Sequence, residues 1–292
     1  VVNRQFAGML EEMFLFFFPL PMVFYGAKYG MKNSWVVLFA IVLLSFIIGT
    51  PQTLFYVASE SFLGMMYGSG IYDHKDSKKL LFLAILIGIF VNIITTVVYA
   101  SFFGYDLTAE MAEYEKIITD TFAKSGMNLP ATVNLKQMLT TVILVSVVLT
   151  GVLQGIITHV FARLLLKRLR FTLPPSTPLA FYYPKKWTGY VGILGLVAYY
   201  YTLYNPLSNT GLQTFLQGAG LCGVIYLCFM GAISLVVQGG LRNPKLAGFR
   251  VILSFFLTMM FMLPMAMLGF LYITTNWHTN MLKGATYVTK NK

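Results

Sequence analysis

The sequence predicts an all-α protein, a polytopic bundle of about eight transmembrane helices. Of its 292 residues, 57% are hydrophobic and 11% are charged, whereas roughly a quarter are charged in a soluble domain. The ten acidic and twenty-one basic residues are confined to a few short stretches. Between these stretches lie apolar runs of about 17 to 30 residues, long enough to cross a hydrocarbon layer of ~30 Å. The lipid bilayer is therefore the expected solvent and partner of the helices.

Charged stretches and Gly or Pro breaks divide the apolar runs. In the first run, Pro19 and Pro21 each remove a backbone donor, which predicts a kinked or interrupted helix. The Gly49–Pro51 break separates two runs that are too long for one span, and this predicts a tight hairpin. Pro264 lies inside the last run, where a broken or re-entrant helix is the alternative to a simple span. The predicted segments cover approximately residues 8–29, 34–49, 51–72, 80–103, 135–166, 188–204, 211–237 and 246–275.

Residues 1–292 are interpreted as a single transmembrane domain that carries two polar modules. The first module, 105–128, is predicted to be an acidic amphipathic helix outside the core. It would cover the membrane helices like a lid or contact another subunit. Its apolar residues recur at helical spacing, at Leu107, Met111, Tyr114, Ile118 and Phe122. Its acids are Asp106, Glu110, Glu113, Glu115 and Asp120.

The second module, 167–187, is a basic connection whose prolines favour an extended chain and which offers another surface for partner subunits. Fourteen of the twenty-one basic residues fall in four connections, around 28–32, 74–79, 163–186 and 242–250. If every segment spans once, these connections lie on one side, which the positive-inside rule places in the cytoplasm. The side of the C-terminal tail stays open. Because topology accounts for the charge, we reject nucleic acid as a partner.

Four polar residues inside the apolar runs are the candidate lining of a ligand cavity. Glu60 is the clearest, because an ionisable group at mid-bilayer costs roughly 2.5–3.5 kcal/mol to insert and marks a functional site by default. Asn92, Gln154 and His159 complete the set, and His159 could also pair with Glu60 as a proton relay. The alternative for these residues is structural, a buried carboxyl with its own partner and amides that bond between helices.

Enzyme motifs are absent from the sequence. It contains no Walker phosphate loop, no H-E-x-x-H zinc pair and no G-x-S-x-G elbow. The three histidines lie on different predicted elements, which argues against a metal site. We therefore expect no enzyme activity, no metal and no cofactor.

Motifs along nearly the whole chain resemble those of the YybS-like family of uncharacterised bacterial membrane proteins. They are Phe16–Pro21 followed by Gly26–Gly30, Leu173–Pro175 through Trp187, Asn209 through Gly218, and Leu268–Gly269 through Trp277. Phe181 stands where the family usually has Trp, and the spacing to Trp187 differs by one residue. The resemblance implies a further N-terminal helix before Val1, and a bacterial plasma membrane as the location.

The same resemblance implies a distant similarity to the substrate-binding membrane subunits of energy-coupling-factor transporters. The expected function is thus a non-catalytic, substrate-binding or transport-type subunit, in which Glu60 faces a donor-rich or cationic ligand. The alternative is a scaffold or accessory subunit of a larger membrane complex, with no small-molecule ligand.

Overall fold

The structure is a computed structural model that describes residues 15–102, 107–125, 135–175, 183–242 and 247–282. Within these ranges the chain forms a 3-10 turn at Leu15–Phe17, nine α-helices with defined bounds and a further helical stretch at 277–282, with no strand. The helices are α1 Pro19–Ile48, α2 Pro51–Tyr72, α3 Ser77–Phe102, α4 Leu107–Lys124, α5 Leu135–Arg168, α6 Lys186–Tyr204, α7 Thr210–Arg242, α8 Ala247–Met260 and α9 Met262–Thr274. The predicted all-α class is confirmed.

Four of the described helices, α1, α3, α5 and α7, are long and apolar enough to cross a membrane. A fifth span results if α8 and α9, which meet at an angle of 118°, are counted together. The predicted number of about eight membrane segments is not confirmed. The segments expected at 51–72 and 188–204 are present as helices α2 and α6, but neither is among these four.

Helix α1 contains a kink where the sequence predicted a connection between two segments. Gly30 has φ 74° and ψ −179°, a conformation that Gly adopts without a Cβ clash. The basic stretch 28–32 surrounds this non-helical residue, so the connection predicted between the first two segments falls at Gly30, where two helical parts of α1 meet. A Cβ on Gly30 would stand 3.0 Å from the ring of Tyr72, so the kink lies beside the end of α2.

The chain reverses direction at this kink. Before it, the carbonyl oxygens of Pro19 and Val23 meet Gly64 and Gly68 of α2, so this half of α1 runs parallel to α2. After it, the Trp35 ring lies 6.3 Å from that of Phe62, and Ile41 lines a pocket with Val57. The second half of α1 therefore runs antiparallel to α2. The two halves of α1 therefore flank α2 in opposite directions.

Contacts divide the chain into two compact units, residues 1–136 with 146–177 and residues 137–145 with 178–292. The single domain expected from the sequence stays a prediction. In the first unit, glycines hold α3 against α5. A Cβ on Gly155 would lie 2.5 Å from the backbone N and Cα of Ile85, and a Cβ on Gly88 would lie 2.5 Å from the Gly151 oxygen. Small residues permit this close approach of two backbones.

Three basic stretches of the first unit lie at the same end of its helices. The kink of α1 meets Tyr72 at the end of α2, and Arg163 Nη1 of α5 donates to Ser77 Oγ at the start of α3, at 3.3 Å. The chain that follows α5 returns to α1, where the Phe171 ring lies 5.6 Å from that of Phe24. The bases gathered at this end are Lys28, Lys32, Lys75, Lys78, Lys79, Lys167, Arg168 and Arg170.

The second unit packs α6 and α9 against α7. Leu227 of α7 fits into the space left by Gly192 of α6, where a Cβ would come within 2.8 Å of its side chain. On α9, the backbone at Gly269 approaches Leu227 so closely that a Cβ there would overlap the Leu227 carbonyl. The helix is interrupted at Phe261, between α8 and α9, because Pro264 has no N–H to donate to the carbonyl of Met260.

The two polar modules are partly described. The acidic helix is present as α4, Leu107–Lys124, and its position outside the core stays a prediction. The basic module begins as the last residues of α5, continues without helix from 169 to 175, and reaches α6 at Lys186. Its residues 176–182, with Phe181, lie outside the described residues.

Candidate functional site

The four residues predicted to line a cavity all belong to the first unit. Glu60 lies on α2, Asn92 on α3, and Gln154 and His159 on α5. Glu60 is 2% exposed, Gln154 0% and His159 8%, while Asn92 is half-buried. None of the four side chains therefore points fully outward.

Gln154 connects the other two helices. Asn92 Nδ2 donates to Gln154 Oε1 at 2.7 Å and to the Gly88 carbonyl oxygen at 2.9 Å. The Gln154 side chain also interacts with the Glu60 carboxyl, although Gln154 Nε2 does not complete a hydrogen bond of normal geometry. The amides of Asn92 and Gln154 thus form the interhelical bond that was the structural alternative, whereas Glu60 keeps an unused oxygen.

The local sequence of α5 explains why Gln154 reaches so far. Gly151 and Gly155, on either side of Gln154, bring this helix into backbone contact with α3 around Gly88. Asn92 lies one turn after Gly88, so its amide meets Gln154 where the helices are closest. The glycines therefore position the polar pair.

His159 has a different partner from the one considered in the sequence. Its Nδ1 lies 2.9 Å from the hydroxyl of Tyr67 on α2, and the two rings meet edge to face at 86°. Tyr67 is fully buried. The structure therefore joins His159 to a tyrosine rather than to Glu60.

Three buried polar atoms in this region have no hydrogen-bond partner. They are Glu60 Oε2, Gln154 Nε2 and Thr158 Oγ1. Thr158 lies one turn from Gln154 on the same face of α5, a spacing that the sequence contains but that did not bring Thr158 into the predicted set. Tyr67 was missed because nothing distinguishes a tyrosine in an apolar run from an ordinary core aromatic. We call Glu60, Tyr67, Asn92, Gln154, Thr158 and His159 the polar cluster.

A pocket of about 230 Å³ is lined in part by Ser61, the residue that follows Glu60 of the polar cluster in the sequence. Its walls are mostly apolar and come from the residues before α1, from both halves of α1 and from α2. They are Phe17, Phe18, Pro21, Ile41, Val57 and Ser61. Glu60 is not among them, so a ligand that entered here would have to displace side chains to reach the carboxyl. Within the described ranges, no three His, Cys, Asp or Glu side chains gather as metal ligands would.

Long apolar helices and buried polar side chains together define an integral membrane protein. The chain belongs to the DUF2232 family of predicted membrane proteins, whose profile matches residues 5–271. No curated protein and no solved structure matches the chain. The narrower resemblance to YybS-like proteins and to energy-coupling-factor subunits stays a prediction.

Proposed function

We propose that this protein is a non-catalytic, substrate-binding or transport-type subunit whose ligand binds at the polar cluster. The supporting observation is the set of three buried atoms without partners, Glu60 Oε2, Gln154 Nε2 and Thr158 Oγ1. Each such atom costs about 1–3 kcal/mol when it loses water and gains no partner. Inside a membrane protein, polar groups retained at this cost mark ligand or ion pathways.

The unused atoms favour a particular class of ligand. Glu60 Oε2 can accept a hydrogen bond or face a cation, whereas Gln154 Nε2 can only donate. Thr158 Oγ1 can do either. A small molecule that carries an amine or another donor-rich group, with an oxygen acceptor close to it, would complement all three. The proposed location is the plasma membrane of a bacterium, with the basic connections in the cytoplasm.

A thermal-shift experiment tests this function. The purified protein is heated with a panel of small amines, amino acids and polyhydroxy compounds, and the native chain is compared with Glu60→Gln. A ligand at a hundred times its Kd stabilises by about 2.7 kcal/mol. We expect one compound to raise the Tm of the native protein and to lose that effect in Glu60→Gln. Glu113→Gln is the matched control, because it makes the same chemical change at an exposed position on α4.

The opposing result is a panel in which no compound stabilises the native chain more than Glu60→Gln. That outcome would favour the scaffold alternative, for which the exposure of Ile117 on the acidic helix α4, at 52%, is the motivating observation. A scaffold would then co-purify with a stable partner whose retention depends on α4 and not on Glu60.

A further inference from the structure

A pocket of about 240 Å³ lies between α7 and α8 in the second unit. Three leucines form its apolar part, Leu235 from α7 and Leu253 with Leu257 from α8. Its polar groups are the amide of Gln238, the hydroxyl of Ser254 and the guanidinium of Arg250. A cation thus stands among aliphatic side chains, in a pocket whose lining contains no acidic residue.

Gly239 makes room for the guanidinium. A Cβ at this position would overlap Nη1 and Cδ of Arg250 and would lie 2.7 Å from its Cζ. Any larger residue at 239 would therefore drive the Arg250 side chain out of its place. By contrast, a Cβ on the next residue, Gly240, would meet nothing within 4 Å.

Arg250 has no counter-charge of its own. Nη1 is buried without a hydrogen-bond partner, and arginine keeps its proton at any physiological pH. The last acidic residue of the sequence is Asp120, so residues 121–292 contain no side-chain carboxylate. The Arg250 side chain is half-buried with Nη1 fully buried; because a buried charged group is costly unless it is paired, an anion from outside this part of the chain would stabilise it.

The surroundings of the pocket indicate what kind of molecule carries the anion. The outer face of α8 is apolar and exposed, with Phe256 at 60% and Met259 and Met260 each at 73%. A ligand here would meet the Arg250 guanidinium at one end and hydrocarbon along the rest, which is the chemistry of an anionic phospholipid.

We infer that Arg250, with Gln238 and Ser254, binds the phosphate of an anionic phospholipid, whose acyl chains lie along Leu253, Leu257 and the outer face of α8. Arginine suits this role because its planar guanidinium can donate two parallel hydrogen bonds to phosphate oxygens. The site is independent of the polar cluster and of the function proposed for it.

The test uses the full-length protein in detergent and measures its Tm with added phosphatidylglycerol, phosphatidylcholine or inorganic phosphate. We expect phosphatidylglycerol alone to stabilise the native chain. In Gly239→Ala and in Arg250→Gln, about ten times more phosphatidylglycerol should be needed for the same Tm shift, since a charge-assisted hydrogen bond is lost. Gly240→Ala, which adds the same methyl group in open space on the same helix, should behave like the native protein.

The design separates the possible results. A phosphatidylglycerol response that is unchanged in both Gly239→Ala and Arg250→Gln would overturn the site. An equal response to inorganic phosphate would overturn the lipid assignment in favour of a soluble anion. Loss of the response in Gly240→Ala as well would show that any change on α7 abolishes it, and would also contradict the inference. The Tm without lipid verifies that each variant is folded.

Discussion

Two histidines of this protein each meet a tyrosine hydroxyl through Nδ1. His159 lies 2.9 Å from Tyr67 in the first unit, and His278 lies 2.8 Å from Tyr272 in the second. Both pairs of rings stand edge to face at 86°. The ring of His278 also stacks on Tyr183 at 4.2 Å, next to the end of α9. Which atom donates in each contact depends on the histidine tautomer, because Nδ1 accepts from a hydroxyl when unprotonated and donates to it when protonated.

His278 should make stability fall in mild acid. Its burial lowers the pKa of His278 below its ordinary value of 6.5, so the unfolded chain takes up a proton before the folded chain does. The stabilisation is therefore complete above about pH 6.5 and is lost as the pH falls through the folded pKa, with ~1.4 kcal/mol for each unit between the two pKa values. We expect His278→Gln to flatten the decline of Tm between about pH 7.5 and about pH 5.5.

The control for this experiment is His74→Gln, which removes an exposed histidine. A decline as steep in His278→Gln as in the native chain, or a decline flattened equally by His74→Gln, would contradict the role of His278.

The sequence allows the burial of a single residue to be predicted better than its hydrogen-bond partner. A polar group in a long apolar run has to turn away from lipid, and Glu60, Gln154 and His159 are indeed buried. The bond from Asn92 to Gln154 joins residues 62 apart, and it depends on how α3 and α5 are rotated about their axes. Apolar spacing alone does not fix that rotation, so neither this pair nor Tyr67 beside His159 could be predicted.

At the scale of elements, the local breaks were predicted well, whereas the number of about eight spans is not confirmed. The Gly49–Pro51 break separates α1 from α2, and Thr50 caps α2 by accepting from the N–H of Thr53 at 3.1 Å. The bend between α8 and α9, close to Pro264, matches the broken or re-entrant helix that was the alternative to a simple span for the last segment. The connection predicted between the first two segments is also present, because Gly30 is a non-helical residue at which the two helical parts of α1 change direction.

The contact between α3 and α5 should be sensitive to one methyl group. In Gly155→Ala the new Cβ would lie 2.5 Å from the backbone of Ile85, so the helices must separate. Overpacking of this kind costs about 1–3 kcal/mol. We expect a lower Tm for Gly155→Ala in a detergent melt.

Gly218→Ala on α7 serves as the comparison, since nothing lies within 4 Å of its Cβ. There the higher helix propensity of Ala, worth up to about 1 kcal/mol, should leave stability equal or raised. If Gly155→Ala is as stable as Gly218→Ala, the two helices are not in backbone contact at that point.

Within the first unit, basic residues gather at one end of the helices. Three basic stretches share one end of the first unit, where Arg163 bonds to Ser77 and Phe171 meets Phe24. The sequence predicted this grouping from alternation of spans, although one of the stretches proved to be a kink within α1. The grouping therefore rests on packing and does not require eight spans. The positive-inside rule would place this end in the cytoplasm.

Labelling from one side of the membrane tests this orientation. Cysteine is introduced in place of the exposed Lys78 or the exposed Lys116, after Cys222 and Cys228 have been replaced by Ala. An impermeant maleimide applied outside intact cells should label Lys116→Cys and should reach Lys78→Cys only after the membrane is opened. Labelling of both positions from outside, or of Lys78→Cys alone, would refute the assignment.

The stretch of 172 residues after Asp120 has no acidic side chain. A reagent that modifies carboxyl side chains can therefore act only on the first part of the protein. A hydrophobic carbodiimide, which modifies carboxyl groups inside membranes, would find no side-chain target in α5 to α9. Side-chain adducts would be confined to the first 120 residues, where Glu60 is the acid buried within a described helix. The extent of modification at that one peptide would report directly on whether a small molecule can reach the interior of the first unit.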